Sequence, residues 1–191
     1  MNKAVFFDKD GVLNLDKGFD GKWNNVELYS EAGPTISYLR GLGYKIFVIT
    51  NQTVIARGLS TEAILNDELI QFQRLLLEQD KKALIDKIYY CPHHPNADLV
   101  MYRTNCECRK PKPGMLLKAS KEYDLDLKKS YVVGDRISDI IAGHLAGCIT
   151  VQCLTGQHDE KMIETDLKIK EEIRPEHTIK SLSELRKIIL S

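Results

Sequence analysis

The sequence carries no excess of charge of either sign: 27 Lys and Arg residues face 27 Asp and Glu residues over 191 positions. A broad basic surface for nucleic acid or an anionic membrane is therefore not expected. Long apolar runs are missing as well. Runs such as Ala4 to Phe7 and Ile46 to Ile49 are far shorter than the ~20 residues that span a bilayer. The N-terminus enters strand-like sequence at once, which leaves no room for a signal peptide and places the expected chain in the cytoplasm, with no membrane partner. No repeat, low-complexity tract or Pro/Gly/Ser linker interrupts residues 1–191, so one domain is expected. With 43% hydrophobic and 28% charged residues, the composition excludes a disordered chain.

The five cysteines are an odd number in a chain without an export signal, so a disulfide framework is not expected. Three of them, Cys91, Cys106 and Cys108, fall together with His93 and His94 in one stretch. Cys148 and Cys153 flank a strand-like run and read as small core hydrophobes.

Strand-like and helical patterns alternate along the chain. Strands are predicted at Lys3 to Phe7, Lys45 to Thr50, Asp86 to Cys91, Ser130 to Val133 and Ile149 to Gln152. Helices are predicted at Pro34 to Leu42, from Ser60 to about Asp80 with Ser60 as N-cap, from Pro113, and at Ser138 to Ala146, ended by Gly147. In the second helix Leu65, Leu69, Phe72 and Leu76 form one apolar stripe. A last short helix is expected near Leu182 to Leu190, and the charged stretch from about Gln157 to Pro175 has no functional reading. The alternation predicts an α/β fold: a single Rossmann-like parallel sheet with helices on both faces. The span from Pro92 to Lys112 is long for a connection in a compact domain, and loops of that length are usually functional.

In an open parallel sheet, ligands bind beyond the carboxyl ends of the strands. The residues that follow the predicted strands there are Asp8-Lys9-Asp10-Gly11, Thr50-Asn51-Gln52 and Gly134-Asp135-Arg136, with Asp139 one helical turn later and Arg109-Lys110-Pro111-Lys112 leading into a helix. Each alone is unremarkable as a turn, cap or solvated charge; the conjunction points to phosphoryl transfer. Asp8 is placed to attack phosphorus, and Asp10 to act as general acid and then base. Carboxylates this close to a phosphate dianion need a hard cation, and Asp8, Asp10 and Asp135 offer the oxygen ligands that Mg²⁺ prefers. Thr50 and Lys110 would hold the non-bridging oxygens.

These segments, with Val12-Leu13 and Ile137-Ser138-Asp139 completing two of them, resemble the four motifs of haloacid dehalogenase superfamily phosphatases over about residues 3 to 155. The resemblance implies Asp8 as nucleophile, Asp10 as acid/base and Thr50 with Lys110 as the phosphate-stabilising pair. It also implies a Mg²⁺ site made by the Asp8 and Asp135 side chains and the Asp10 main-chain carbonyl.

Cys91-Pro92-His93 and Cys106-Glu107-Cys108 supply three thiols and an imidazole, a donor set for a closed tetrahedral zinc site in a loop at about 91–108. Binding there would order a loop with little core of its own. The arrangement resembles the zinc-loop branch of the superfamily, which has no large cap domain. Within it, the sequence is similar to the heptose 1,7-bisphosphate 7-phosphatases and, less closely, to the histidinol-phosphate phosphatases. The heptose likeness implies substrate contacts at Asp16, Lys17, Gly18, Phe19, Thr50, Asn51, Gln52, Thr53, Arg109, Lys110 and Arg136, and a product used in nucleotide-heptose and surface-polysaccharide synthesis. The expected partner is a small phosphorylated sugar, acted on by a monomer. Thr53-Val54 stands where that group often has Ser-Gly, and Arg136-Ile137-Ser138-Asp139 looks more like the histidinol-phosphate group. Gly21 to Asn25, with the only tryptophan at Trp23, is read either as a substrate-facing loop or as a surface turn. A phosphosugar-binding module without activity is the reading from a different class.

Overall fold

Strand β1 (Ala4–Phe7) is buried along its whole length, which requires a sheet covered on both faces. A computed structural model describes residues 1–18, 26–156 and 173–190. Its elements in chain order are β1, α1 (Ala32–Gly41), β2 (Lys45–Asn51), α2 (Thr53–Ala56), α3 (Glu62–Gln79), β3 (Lys87–Cys91), α4 (Gly114–Tyr123), β4 (Tyr131–Gly134), α5 (Ile137–Ala146), β5 (Ile149–Cys153), β6 (His177–Ile179) and α6 (Leu185–Ile189). The six strands form one sheet in the order β3-β2-β1-β4-β5-β6, with every neighbouring pair parallel. This is the expected α/β architecture, and among the described residues no large cap is inserted.

The pleat sorts the core into two layers. Val5, Phe7, Ile46, Val48 and Val133 pack with Ile36 and Leu39 of α1 and with Phe72 and Leu76 of α3. Their alternates Ala4, Phe6, Phe47, Ile49 and Val132 pack with Met115, Leu116 and Ala119 of α4 and with Ala142 of α5. The chain winds outward from β1 to β2 and β3, then crosses to β4 and continues the other way. The carboxyl end of β1 is thus the switch point of the sheet, where the adjoining connections diverge and leave a crevice.

Three details differ from the sequence expectation. Thr61, not Ser60, caps α3: its hydroxyl accepts from the Ile64 amide at 3.2 Å. A sixth strand, β6, pairs with β5, joining Cys153 to Ile179 in register. Three residues reading His-Thr-Ile carry no recognisable period, so pairing alone makes this segment a strand. The four-residue α2 was likewise too short to announce itself. The span 92–112 contains one turn of 3₁₀ helix at Val100–Tyr102. The segment around Trp23 lies outside the described residues, as does most of the charged stretch after Gln157. Among the described residues no helix is long and apolar enough to cross a membrane.

Because Thr61 meets one of the otherwise unpaired amides of α3, Thr61→Ala is expected to lower stability by about 1 kcal/mol. A urea unfolding midpoint shifted down at unchanged slope would show it; an unchanged midpoint would not support the cap.

Candidate active site

Every carboxyl-end segment singled out in the sequence reaches the switch-point crevice. Its lining includes Asp8, Asp10, Thr50, Asn51, Gln52, Thr53, Arg109, Lys110 and Arg136, together with Asp16, Lys17 and Gly18. Phe19 lies outside the described residues.

Asp8 is the first residue beyond β1. Its amide donates to Val133 O of β4 at 2.9 Å, and its Oδ1 accepts from the Lys9 amide at 2.8 Å. Lys110 comes from the far end of the long loop, yet its ammonium stands 2.9 Å from Asp8 Oδ1, 2.6 Å from Asp139 Oδ1 and 2.8 Å from Ile49 O. The side chain of Asn51 fixes that approach, accepting from the Lys110 amide at 3.1 Å and donating to the Lys110 carbonyl at 3.0 Å. Thr50 is buried at the end of β2, where its hydroxyl accepts from Gln52 Nε2 at 2.9 Å.

Asp135, which follows β4, is fully buried. Gly11, at φ +86°, makes room for it, since a Cβ there would sit 2.5 Å from Asp135 Oδ2. A side chain at position 11 would be both strained and obstructive.

Oxygens of Asp8, Asp135 and Asp139 lie within 4.8 Å of one another. This is a donor set of buried hard oxygens, suited to a small divalent cation. The electrostatics point the same way. Burial holds the Asp8 carboxyl well above the usual carboxylate range; Lys110 opposes the shift, while Asp139 and Asp135 add to it. Three carboxylates this close repel one another, and a divalent cation among them would offset that repulsion.

Asp139 is the member of this cluster to which the sequence gave no role. Its place one helical turn beyond Asp135 was visible; its ion pair with Lys110 depends on the long loop folding back. The same carboxylate also accepts from the Arg136 amide at 3.1 Å, so it helps to start α5.

The Asp10 side chain is held by a separate set of donors. Its Oδ1 accepts from Lys9 Nζ and from Asn14 Nδ2, each at 2.9 Å, and its Oδ2 accepts from Gln52 Nε2 at 3.1 Å. Burial pushes its pKa up, but the Lys9 charge and these three donors outweigh that and hold it below the usual range.

At the rim, Arg136 Nη2 pairs with Asp16 Oδ2 at 3.0 Å, and exposed Lys17 pairs with Glu27. Arg109 Nη1 donates to Thr53 Oγ1 at 3.2 Å and to His93 O at 3.1 Å. Arg57 also lines the crevice, a cation the sequence reading did not assign to the substrate.

Beside the rim, Cys91, His93, Cys106 and Cys108 converge as a second cluster. Cys108 Sγ lies 3.2 Å from Cys91 Sγ, 3.1 Å from Cys106 Sγ and 3.5 Å from His93 Nδ1. These separations are far from the ~2.05 Å of a disulfide, and all five cysteines are free. Burial pushes the Cys91 thiol up, whereas hydrogen bonding from Cys108 and Cys91 outweighs burial at Cys106 and lowers it. Three convergent thiols and an imidazole are the donor set of a structural zinc site. His94 stays outside the cluster, with Nδ1 accepting from the Asn96 amide at 3.0 Å. Glu62 of α3 joins the loop to β3, accepting from the hydroxyls of Tyr102 in the loop at 2.9 Å and of Tyr90 in β3 at 2.8 Å.

A buried aspartate at a switch point, paired with a lysine and backed by further carboxylates, is the geometry of an aspartate-dependent phosphoryl-transfer site. Comparison with known proteins agrees. Residues 107–185 match the family described as HAD-hydrolase-like. A D-glycero-beta-D-manno-heptose-1,7-bisphosphate 7-phosphatase of Haemophilus ducreyi is 38% identical over 148 residues, covering 78% of this chain and 80% of that protein. The protein of the same name from Escherichia coli K12 is 40% identical over 139 residues, covering 73% and 72%. Among solved structures, D,D-heptose 1,7-bisphosphate phosphatase from B. bronchiseptica, complexed with magnesium and phosphate, aligns over 98% of each chain with a TM-score of 0.79 and 28% identity. The chain belongs to the HAD-like phosphatases, in the family of the heptose-1,7-bisphosphate 7-phosphatases.

Proposed function

We propose that the chain is a Mg²⁺-dependent phosphomonoesterase that removes the 7-phosphate of D-glycero-β-D-manno-heptose 1,7-bisphosphate through an aspartyl-phosphate. The observation that carries the chemistry is the Asp8–Lys110–Asp139 ion-pair cluster over buried Asp135. The names of the relatives support the sugar and its anomer.

Asp8 Oδ attacks phosphorus while the bond from phosphorus to the sugar oxygen breaks, and Asp10 delivers a proton to that leaving oxygen. Asp10 then takes a proton from water as the water oxygen attacks the phosphorus of the acyl-phosphate. The Asp8–phosphorus bond breaks, releasing phosphate and restoring the carboxylate. Thr50 and Lys110 hold the non-bridging oxygens. Mg²⁺, held by Asp8, Asp135 and the Asp10 carbonyl with Asp139 close by, would supply charge neutralisation for the phosphate dianion. Arg109, which lines the crevice as Arg57 does, would receive the second phosphate in a forked contact. Zinc on Cys91, His93, Cys106 and Cys108 would fix the loop that carries Arg109 and Lys110.

Asp8→Asn is expected to lower kcat by roughly a thousandfold or more at unchanged melting temperature; near-normal turnover would remove the nucleophile assignment. kcat/KM measured side by side on both bisphosphate anomers and on histidinol phosphate should rank the β-bisphosphate first. A large preference for histidinol phosphate would move the substrate to that group, and silence on all three would favour a binding module. Elemental analysis should return about one zinc per chain, lost on Cys106→Ser together with thermal stability; a zinc-free preparation that is fully folded and active would refute the site.

A further inference from the structure

Beside Asp10, in the lining of the crevice, lies a buried ion-pair chain that none of these steps uses. Lys9 Nζ is 2.9 Å from Asp10 Oδ1 and 2.7 Å from Glu68 Oε1, with the Lys9 and Glu68 side chains 3% and 1% exposed. Glu68 stands on the buried face of α3 with Leu65, Leu69, Phe72 and Leu76, where the helical period calls for an apolar residue. The Lys9 ammonium lies 5.5 Å from the Phe72 ring centroid, so the pair is embedded among core side chains.

Stability does not account for it. A buried ion pair seldom outperforms well-packed apolar residues of similar size, and replacing both partners is often neutral or stabilising. Nor is binding a sufficient reason: both side chains belong to the crevice lining, but at 3% and 1% exposed they offer a substrate almost no surface to contact. What the pair does is geometric. Lysine ends in a point charge on a flexible stem, and carboxylates surround this one. Glu68 ties the ammonium on the α3 side, so that Lys9 approaches one oxygen of Asp10. Asn14 shares that oxygen, and Gln52 takes the other. The carboxylate plane of Asp10 is thereby determined at both ends.

We propose that Glu68, acting through Lys9, is a positioning residue that orients the Asp10 carboxyl for proton transfer to the leaving oxygen. The role rests on the assignment of Asp10 as acid/base given above. It makes a distinctive demand: misorienting Asp10 must slow the first step for an alkyl ester, whose alkoxide needs a proton as it leaves. The same change must spare an aryl ester whose phenolate leaves unaided.

The test is the rate of aspartyl-phosphate formation, followed by rapid quench of full-length protein with Mg²⁺, on the heptose bisphosphate and on p-nitrophenyl phosphate. The double variant Lys9→Met/Glu68→Met removes both charges and is expected to melt no lower than wild type. Its first step should slow about tenfold to a hundredfold on the sugar ester, and less than about threefold on the aryl ester, with KM within about twofold. Glu68→Gln alone should show the same selective loss and decides the matter if the double variant does not fold. In a cycle, the losses from Lys9→Met and Glu68→Met should fail to add. Equal slowing on both esters, a change confined to KM, or a wild-type first step would overturn the positioning role while leaving the phosphatase assignment intact. A wild-type chain that forms no phosphoenzyme from either ester would instead bring down that assignment, and this role with it.

Discussion

The structure is organised around one electrostatic constraint: three carboxylates, Asp8, Asp135 and Asp139, are buried within reach of one another with a single ammonium between two of them. Like charges this close cannot all stay ionised in a dry site without compensation. Much of the surrounding architecture follows from that. Lys110 is brought from a distant loop, Asn51 clamps its backbone on both sides, and Gly11 gives up its side chain so that Asp135 fits. A site that tolerates this much negative charge is prepared for a divalent cation and, across from it, for a phosphate. The burial that makes the cluster costly also strengthens its interaction with a developing phosphoryl charge.

The second cluster serves the first by holding chain. The loop after β3 brings Arg109 and Lys110 to the crevice, and few of its residues are fully buried. Cross-links do what packing cannot. Cys91, His93, Cys106 and Cys108 converge as a donor set for a metal ion, Tyr102 of the loop donates to Glu62 of α3, and the His93 carbonyl receives the Arg109 guanidinium. Arg109 and Lys110 thus enter the crevice lining from a loop that contains almost no regular secondary structure.

The sequence disclosed the parts of this design that are local. Asp8, Thr50 and Asp135 follow short apolar runs directly, so the topology of a parallel sheet brings them to one edge with no further information. The cysteine–histidine cluster was legible because the ligand pairs are two residues apart within each half. Asp139 was seen but given no role, because its partner Lys110 reaches it only through a loop whose path no local rule determines. Glu68 was hidden more thoroughly, since it interrupts an apolar stripe that the periodicity of Leu65, Leu69, Phe72 and Leu76 makes complete without it. β6 failed to register for the opposite reason: three residues have too little pattern, and the exposed edge of β5 decides their conformation.

The distribution of charge across the crevice bears on the kind of substrate it accepts. Its inner wall is acidic, with Asp8 and Asp10 lining the crevice and Asp135 and Asp139 buried behind them, answered by Lys9 and Lys110. Its rim is basic, with Arg57, Arg109, Arg136 and Lys17, of which Arg136 and Lys17 are engaged by Asp16 and Glu27. A monophosphate would satisfy the inner wall through a bound cation and gain little from the rim. On the proposed reading, a molecule with a second phosphate several bonds away would engage both walls, because Arg109, anchored by Thr53 and His93, stands in the basic rim. A donor anchored before binding loses little entropy on binding, so the proposed contact from Arg109 would favour a doubly charged sugar over a singly charged one.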